Sequence, residues 1–133
     1  MHKDFQRADG WTKEVIGGAI EVHRDKGPGL LEDIYEQCLM WELKLRNIPV
    51  VRQLNVPVSY KGAQFDSPLR LDIYVDSCLI IELKAVERVL PIHKAQLMSY
   101  MKLLDAPIGL LINFNELKLI NGIHRMMLPG SGL

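Results

Sequence analysis

The sequence predicts an α/β fold, a mixed central β-sheet flanked by helices. Three observations carry this. Residues 11–24 and 30–46 repeat apolar side chains at helical spacing. From residue 50 onward the composition turns β-branched and alternating. A third helical stretch, opened by a proline, precedes the short and almost wholly apolar run "IGLLIN", as expected of a strand covered on both faces. The order helix, helix, several strands, helix, strand, strand suits a sheet packed between helices.

The elements follow in turn. Val15, Ile16, Ala19, Ile20 and His23 give the first helix its stripe, and Gly17-Gly18 inside it suits close approach to a neighbour. "DKGPG", residues 25–29, breaks the chain. The second helix carries Leu31, Ile34, Tyr35, Cys38, Leu39 and Leu45 on one broad face, and Asn47 and Pro49 end it. "VVRQLNVPVSY" predicts one or two strands, with Lys61-Gly62 as a hairpin turn. "RLDIYV" and "SCLIIELKA" are the two best strands, joined by a tight turn around Asp76-Ser77. Pro91 is placed as the first residue of the third helix, which should stop near Asp105-Ala106-Pro107. "NELKLINGIHRMML" reads as a turn and a final strand.

At 133 residues, 48% of them apolar, the chain is sized for one domain with a real core, here taken as residues 1–133 with the core at about 11–128. The apolar runs are too short to span a membrane, and the opening "MHKDFQRADG" is polar, so a cytoplasmic protein is expected. Cys38 and Cys78 sit in apolar segments outside any CxxC pattern and read as small buried hydrophobes. Sixteen basic residues balance sixteen acidic ones, which argues against a general electrostatic DNA binder. Nucleic-acid binding is permitted if a cation neutralises some of the acids.

One constellation breaks the apolar pattern. Glu82 and Lys84 stand two apart on a buried strand, so they share a side of it. Asp72 lies at the same end of the preceding strand. A strict two-residue turn would pair Asp72 with Ile81 and turn it away from Glu82. One further residue in the loop, or a bulge, would set Asp72 opposite Glu82. The residues alone leave both registers open, and a surface salt bridge on an edge strand would equally explain Glu82 and Lys84. In the second register, two converging carboxylates repel, and a lysine and a divalent cation would offset that. Mg²⁺ favours such carboxylates together with water and phosphate oxygens, and the chemistry this suits is metal-assisted phosphodiester hydrolysis.

"LDIYVDSCLIIELKA" resembles the core of the PD-(D/E)xK nuclease superfamily, where an Asp on one strand precedes (D/E)-x-K on the next. In "HKAQLMSYM", Gln96 and Tyr100 are similar to the Q-x-x-x-Y feature of its RecB-type branch. "GLLEDIY" places Gly29, Glu32 and Tyr35 in the spacing of the GxxExxY protein family, which resembles the same nuclease fold. The proline of the superfamily's name is Leu71 here.

The resemblance implies a restriction-endonuclease-like fold and a nuclease acting on nucleic acid, DNA in the first instance, with Mg²⁺ or Mn²⁺. It implies Asp72 and Glu82 as metal ligands, the Leu83 carbonyl as a further ligand, and Glu32 as a direct or water-mediated one. Lys84 would position the water, and Gln96 and Tyr100 would line the site from one helical face. The alternative is a catalytically silent nuclease-fold module that binds nucleic acid or a protein.

Other residues carry competing readings. Glu32 also suits the acidic first turn of a helix, and Tyr35 suits the core with its hydroxyl bonded. Gln96 is placed on the apolar side of its helix. His23, His93, Lys94 and Arg70 are possible phosphate contacts that a structural or solvated role explains as well. A homodimer through strands near the carboxy terminus is a further possibility.

Overall fold

The computed structural model describes residues 1–66 and 68–133. Two helices lead, α1 (Phe5–Lys26) and α2 (Glu32–Leu45). Strands β1 (Val50–Asn55), β2 (Val58–Tyr60), β3 (Ala63–Phe65), β4 (Arg70–Val75) and β5 (Leu79–Lys84) follow. Then come α3 (Pro91–Leu104), β6 (Ile108–Asn113), a 3₁₀ turn at Leu119–Gly122, and β7 (Ile123–Met127). Five strands form one mixed sheet in the order β1-β4-β5-β6-β7; β5 and β6 run parallel and the other neighbours antiparallel. A right-handed crossover through a helix is the usual link between parallel neighbours, and α3 is the element between β5 and β6. The pair β2-β3 is a separate hairpin.

Both faces of the sheet are covered. On one, Val15 and Ala19 of α1 and Tyr35, Leu39 and Leu43 of α2 pack on Ile73, Ile81, Leu83, Leu110 and Ile112. On the other, Leu97, Tyr100 and Met101 of α3 pack on Leu71, Ile80 and Leu111. This explains "IGLLIN": every residue of β6 is buried. Gly109 in that strand lets α3 come close, since a Cβ there would stand 2.8 Å from both Leu97 Cδ1 and Met101 Sδ.

The predicted elements are largely present, with three corrections. Helix α1 begins at Phe5 rather than Trp11. Its extra turns are held by tertiary contacts: Ala8 is fully buried, and Trp11 Nε1 donates to Asp76 Oδ2 at 3.0 Å. The broad apolar face expected on α2 is split. Tyr35, Leu39 and Leu43 enter the core, while Leu31, Ile34 and Leu45 lie outside it. The reason is rotational. Gly18 admits α2 so closely that a Cβ there would meet Leu43 Cδ2 at 3.2 Å, which fixes Leu43 inward and turns the opposite stripe to solvent. Gln96 is exposed rather than on the packed side of α3. Leu97 and Met101 occupy that side and roll the helix accordingly. The Lys61-Gly62 turn has the two positive φ angles, 49° and 85°, of a two-residue hairpin.

Among the described residues, no helix is long and apolar enough to cross a membrane.

Candidate active site

The hairpin β4-β5 adopts the register that sets Asp72 across from Glu82. Val75 pairs with Leu79, Tyr74 with Ile80 and Ile73 with Ile81, which leaves Asp76, Ser77 and Cys78 as the loop. Asp76 and Ser77 both take positive φ, 48° and 52°, and Cys78 N–H donates to the Val75 carbonyl at 3.0 Å. The extra residue sends Asp72 to the level of Glu82 rather than Ile81.

Beyond Ile73 and Ile81 the two backbones stop pairing, although both strands continue. Side chains replace the ladder. The Asp72 amide donates to Glu82 Oε1 at 3.0 Å, and the Leu83 amide donates to Asp72 Oδ2 at 2.8 Å. Each carboxylate thus takes an amide of the facing strand. Polar side chains that compete for backbone partners commonly open a sheet in this way. Leu83 sends its side chain into the core and its amide to Asp72.

The pair is costly to ionise. Glu82 is 5% exposed, and burial, then the Asp72 charge, push its carboxyl up to about 8; the Asp72 amide and Lys84 pull the other way. Burial likewise raises Asp72, to about 6, with the Leu83 amide opposing and Glu36 and Glu32 adding repulsion. Two oxygen ligands of like charge, hard and desolvated, make a donor set that fits a small divalent cation. Lys84, half-buried at the end of β5, acts electrostatically on both Glu82 and Glu32.

Glu32 opens α2 and is exposed. Desolvation of its carboxyl raises its pKa; Lys84 and His93 oppose this and Glu36 reinforces it, which places Glu32 at the same pole of the fold. Asp72 and Glu82 are therefore brought together and Glu32 faces them. Even so, among the described residues no three His, Cys, Asp or Glu side chains converge as a ready metal cage. Tyr100 is 5% exposed under the sheet, its hydroxyl pKa raised by burial and by Glu82 and Asp72, while a hydrogen bond with Gln96 lowers it. An open cleft of about 640 Å³ lies beside the site, lined by Val86, Glu87, Arg88, Leu90 and His93 on the loop that follows Lys84.

Three further residues shape the site and were not singled out from the sequence. Glu36, one helical turn beyond Glu32, is 3% exposed, and its charge helps raise the Asp72 carboxyl. It is clamped by Arg52 Nε and by Gln53 Nε2, the latter at 2.8 Å. The spacing from Glu32 to Glu36 was the available signal. Gln53 takes a φ of 53° inside β1, a left-handed conformation that its sequence position does not foreshadow. Asn113 is fully buried; its amide bonds both the N–H and the carbonyl of Val86 and accepts from the Asn115 amide. It holds the loop that leaves Lys84.

The remaining sequence candidates have structural employment. Tyr35 stacks on Phe114 with centroids 4.6 Å apart, and its hydroxyl bonds the Gly27 carbonyl and the Leu30 amide. His23 meets the Glu116 carbonyl at 2.7 Å, and His93 Nδ1 accepts the Leu90 amide at 3.0 Å. Arg70 Nε donates to Asn55 Oδ1 at 3.1 Å, while Lys94 is solvent-exposed.

Residues 9–126 match the PD-(D/E)XK nuclease superfamily. The chain belongs to that superfamily. The match takes in most of α1, all of α2 and α3, the sheet up to Met126, and every candidate side chain above. The restriction-endonuclease-like fold expected from the sequence is the one found, and members of the superfamily generally use divalent metal ions. No curated protein and no solved structure matches the chain.

Proposed function

We propose that this chain is a divalent-cation-dependent nuclease that hydrolyses phosphodiester bonds, with DNA the first substrate to test and RNA the second. The observation that carries the reading is the opening of the β4-β5 ladder at Asp72 and Glu82, with Lys84 one strand-repeat further on. Asp72 and Glu82 would hold Mg²⁺ or Mn²⁺, with Glu32 and the Leu83 carbonyl as further ligands. Such a cation supplies positive charge against a phosphate and lowers the pKa of water. Lys84 would orient the attacking water by donating from its ammonium. Gln96, exposed and one helical turn before Tyr100, would contact substrate, with Tyr100 lining the site beside it. The order of Glu32, Asp72, Glu82, Lys84, Gln96 and Tyr100 supports placement near the GxxExxY proteins and the RecB-type branch.

Cleavage of single- and double-stranded oligonucleotides in Mg²⁺ and in Mn²⁺ tests this. Turnover should fall at least a hundredfold in Lys84→Ala and Asp72→Ala, on the order expected for loss of a charge-stabilising or positioning group. Cleavage unchanged in both variants would reject the assignment. Independently, Mg²⁺ should raise the melting temperature of the wild type at pH 8 and leave that of Asp72→Ala unmoved.

One observation favours a second reading, a nuclease-fold module that binds without turnover: both carboxylates already accept strand amides. That reading predicts nucleic-acid or protein binding with no cleavage in either metal, and cleavage lost in Glu82→Ala would reject it.

A further inference from the structure

Helix α2 is apolar on two faces. Tyr35, Leu39 and Leu43 are fully buried in the core. On the outside stand Leu31, 76% exposed, Ile34 at 40%, Trp41 at 64% and Leu45 at 61%, with the partly exposed Cys38 between them. Their spacing is three, four, three, four. Leu31 is the extended residue just before the helix, and the four residues inside it keep the a/d spacing of a coiled-coil seam, a stripe that another helix crossing at a shallow angle would cover. A helix apolar all round is normally buried all round. Here one side has no partner among the described residues.

We propose that the outer face of α2 is a self-complementary dimer interface, on which α2 of a second copy packs antiparallel about a twofold axis. Three features select a second copy in this orientation. The first is size. In the antiparallel register that pairs a with d positions, Cys38 faces Trp41 of the second copy and Ile34 faces Leu45. The smallest seam residue thus receives the largest. The second is space. A groove of about 250 Å³ between α1 and α2 lies beside Cys38; Val22, Cys38 and Trp41 line it together with the charged Glu21, Asp25, Lys26 and Glu42, so it has room for an incoming indole and carboxylates for its N–H. The third is charge. Asp33 stands exposed in the first turn of α2 and Lys44 exposed in its last. Antiparallel pairing sets the acidic end of each helix near the basic end of the other, and lays the two helix dipoles side by side in opposite directions. A twofold contact makes each of these fits twice.

The competing surface is the outer edge of β7. That strand is five residues long and carries His124 and Arg125, with Arg125 paired to Asp9. Short, charged edge strands resist pairing. A single helix pair buries a modest area, so the dimer should depend on concentration within the micromolar range.

Sedimentation equilibrium over a concentration series tests the proposal with the full chain. The wild type should approach twice the monomer mass. Trp41→Glu and Leu45→Glu, both at exposed positions, should remain at the monomer mass with unchanged circular dichroism. Tyr60→Glu, on the β2-β3 hairpin, should dimerise as the wild type does. A wild type that stays monomeric throughout overturns the proposal. So does a dimer that survives both α2 variants, which would move the contact to another surface such as β7. The outcome is independent of whether the chain cleaves nucleic acid.

Discussion

At the scale of residues, the site is governed by the cost of placing Asp72 and Glu82 together under the sheet surface. Both carboxyls bind their protons more tightly in the folded chain than in the unfolded one. The sign follows. For Glu82 the folded state holds the extra proton between its ordinary 4.5 and about 8, so stability is highest below that window and falls as pH rises through it. Asp72 adds the same slope from 3.8 to about 6. Urea unfolding of the cation-free protein should therefore show declining stability from pH 4.5 to 8. Glu82→Gln should flatten the decline and be more stable than the wild type at pH 8, while abolishing cleavage. A parallel decline in the variant would show that Glu82 does not carry it. The same carboxylates that burden the fold are those that would hold a cation, a common trade at functional sites.

At the scale of elements, loops and strand ends aim the site residues. Asn113 ends β6 and fastens the Val86 peptide, so it controls the segment that begins at Lys84. Asn113→Ala takes away the partner of those half-buried groups. It should cost about 1–3 kcal/mol of stability and reduce turnover more than it weakens substrate binding. Denaturant melts with kcat and KM measured in parallel would check both. The clamp on Glu36 is the counterpart across the site. Arg52 joins β1 to α2 through Glu36 and, at 2.7 Å, through Asp33. Arg52→Ala strands a buried carboxylate and should destabilise by about 1–3 kcal/mol, the lower part being more apt because Arg52 itself is solvent-exposed. A melt within a few tenths of the wild type would show that Gln53 alone satisfies Glu36.

At the scale of the whole molecule, a sheet covered on both faces turns a short strand pair into a rigid platform. Leu79, Ile80, Ile81 and Leu83 are fully buried, so the acids at the end of β5 are anchored by packing on both sides. The helices approach that end from opposite faces. Helix α2 brings Glu32 and Glu36 from one, and α3 brings Gln96 and Tyr100 from the other. Residues distant in sequence meet at one pole of the fold, beside an open cleft. The exposed seam of α2 lies on the outer side of the same helix, so its coverage by a second copy would leave the inner, acid-bearing face in place.

Much of this was legible in the chain. Helical spacing located α2 and α3, the run "IGLLIN" announced a strand buried on both faces, and Lys61-Gly62 specified its turn, because each depends on local periodicity or local backbone preference. Glu82, Lys84 and Asp72 stood out because charge on an apolar strand is expensive. What the chain could not settle was relational. Strand register turns on a single loop residue, and whether Asp76-Ser77 or Asp76-Ser77-Cys78 closes the hairpin depends on how Cys78 packs. The inward face of α2 depends on Gly18 meeting Leu43 across two helices, and the clamp on Glu36 depends on Gln53 in a left-handed conformation within β1. The sequence determined the elements and the cost of the acids. Tertiary packing alone decided which acids face one another, because a one-residue slip or a partial helix rotation reverses a side chain without altering the local pattern.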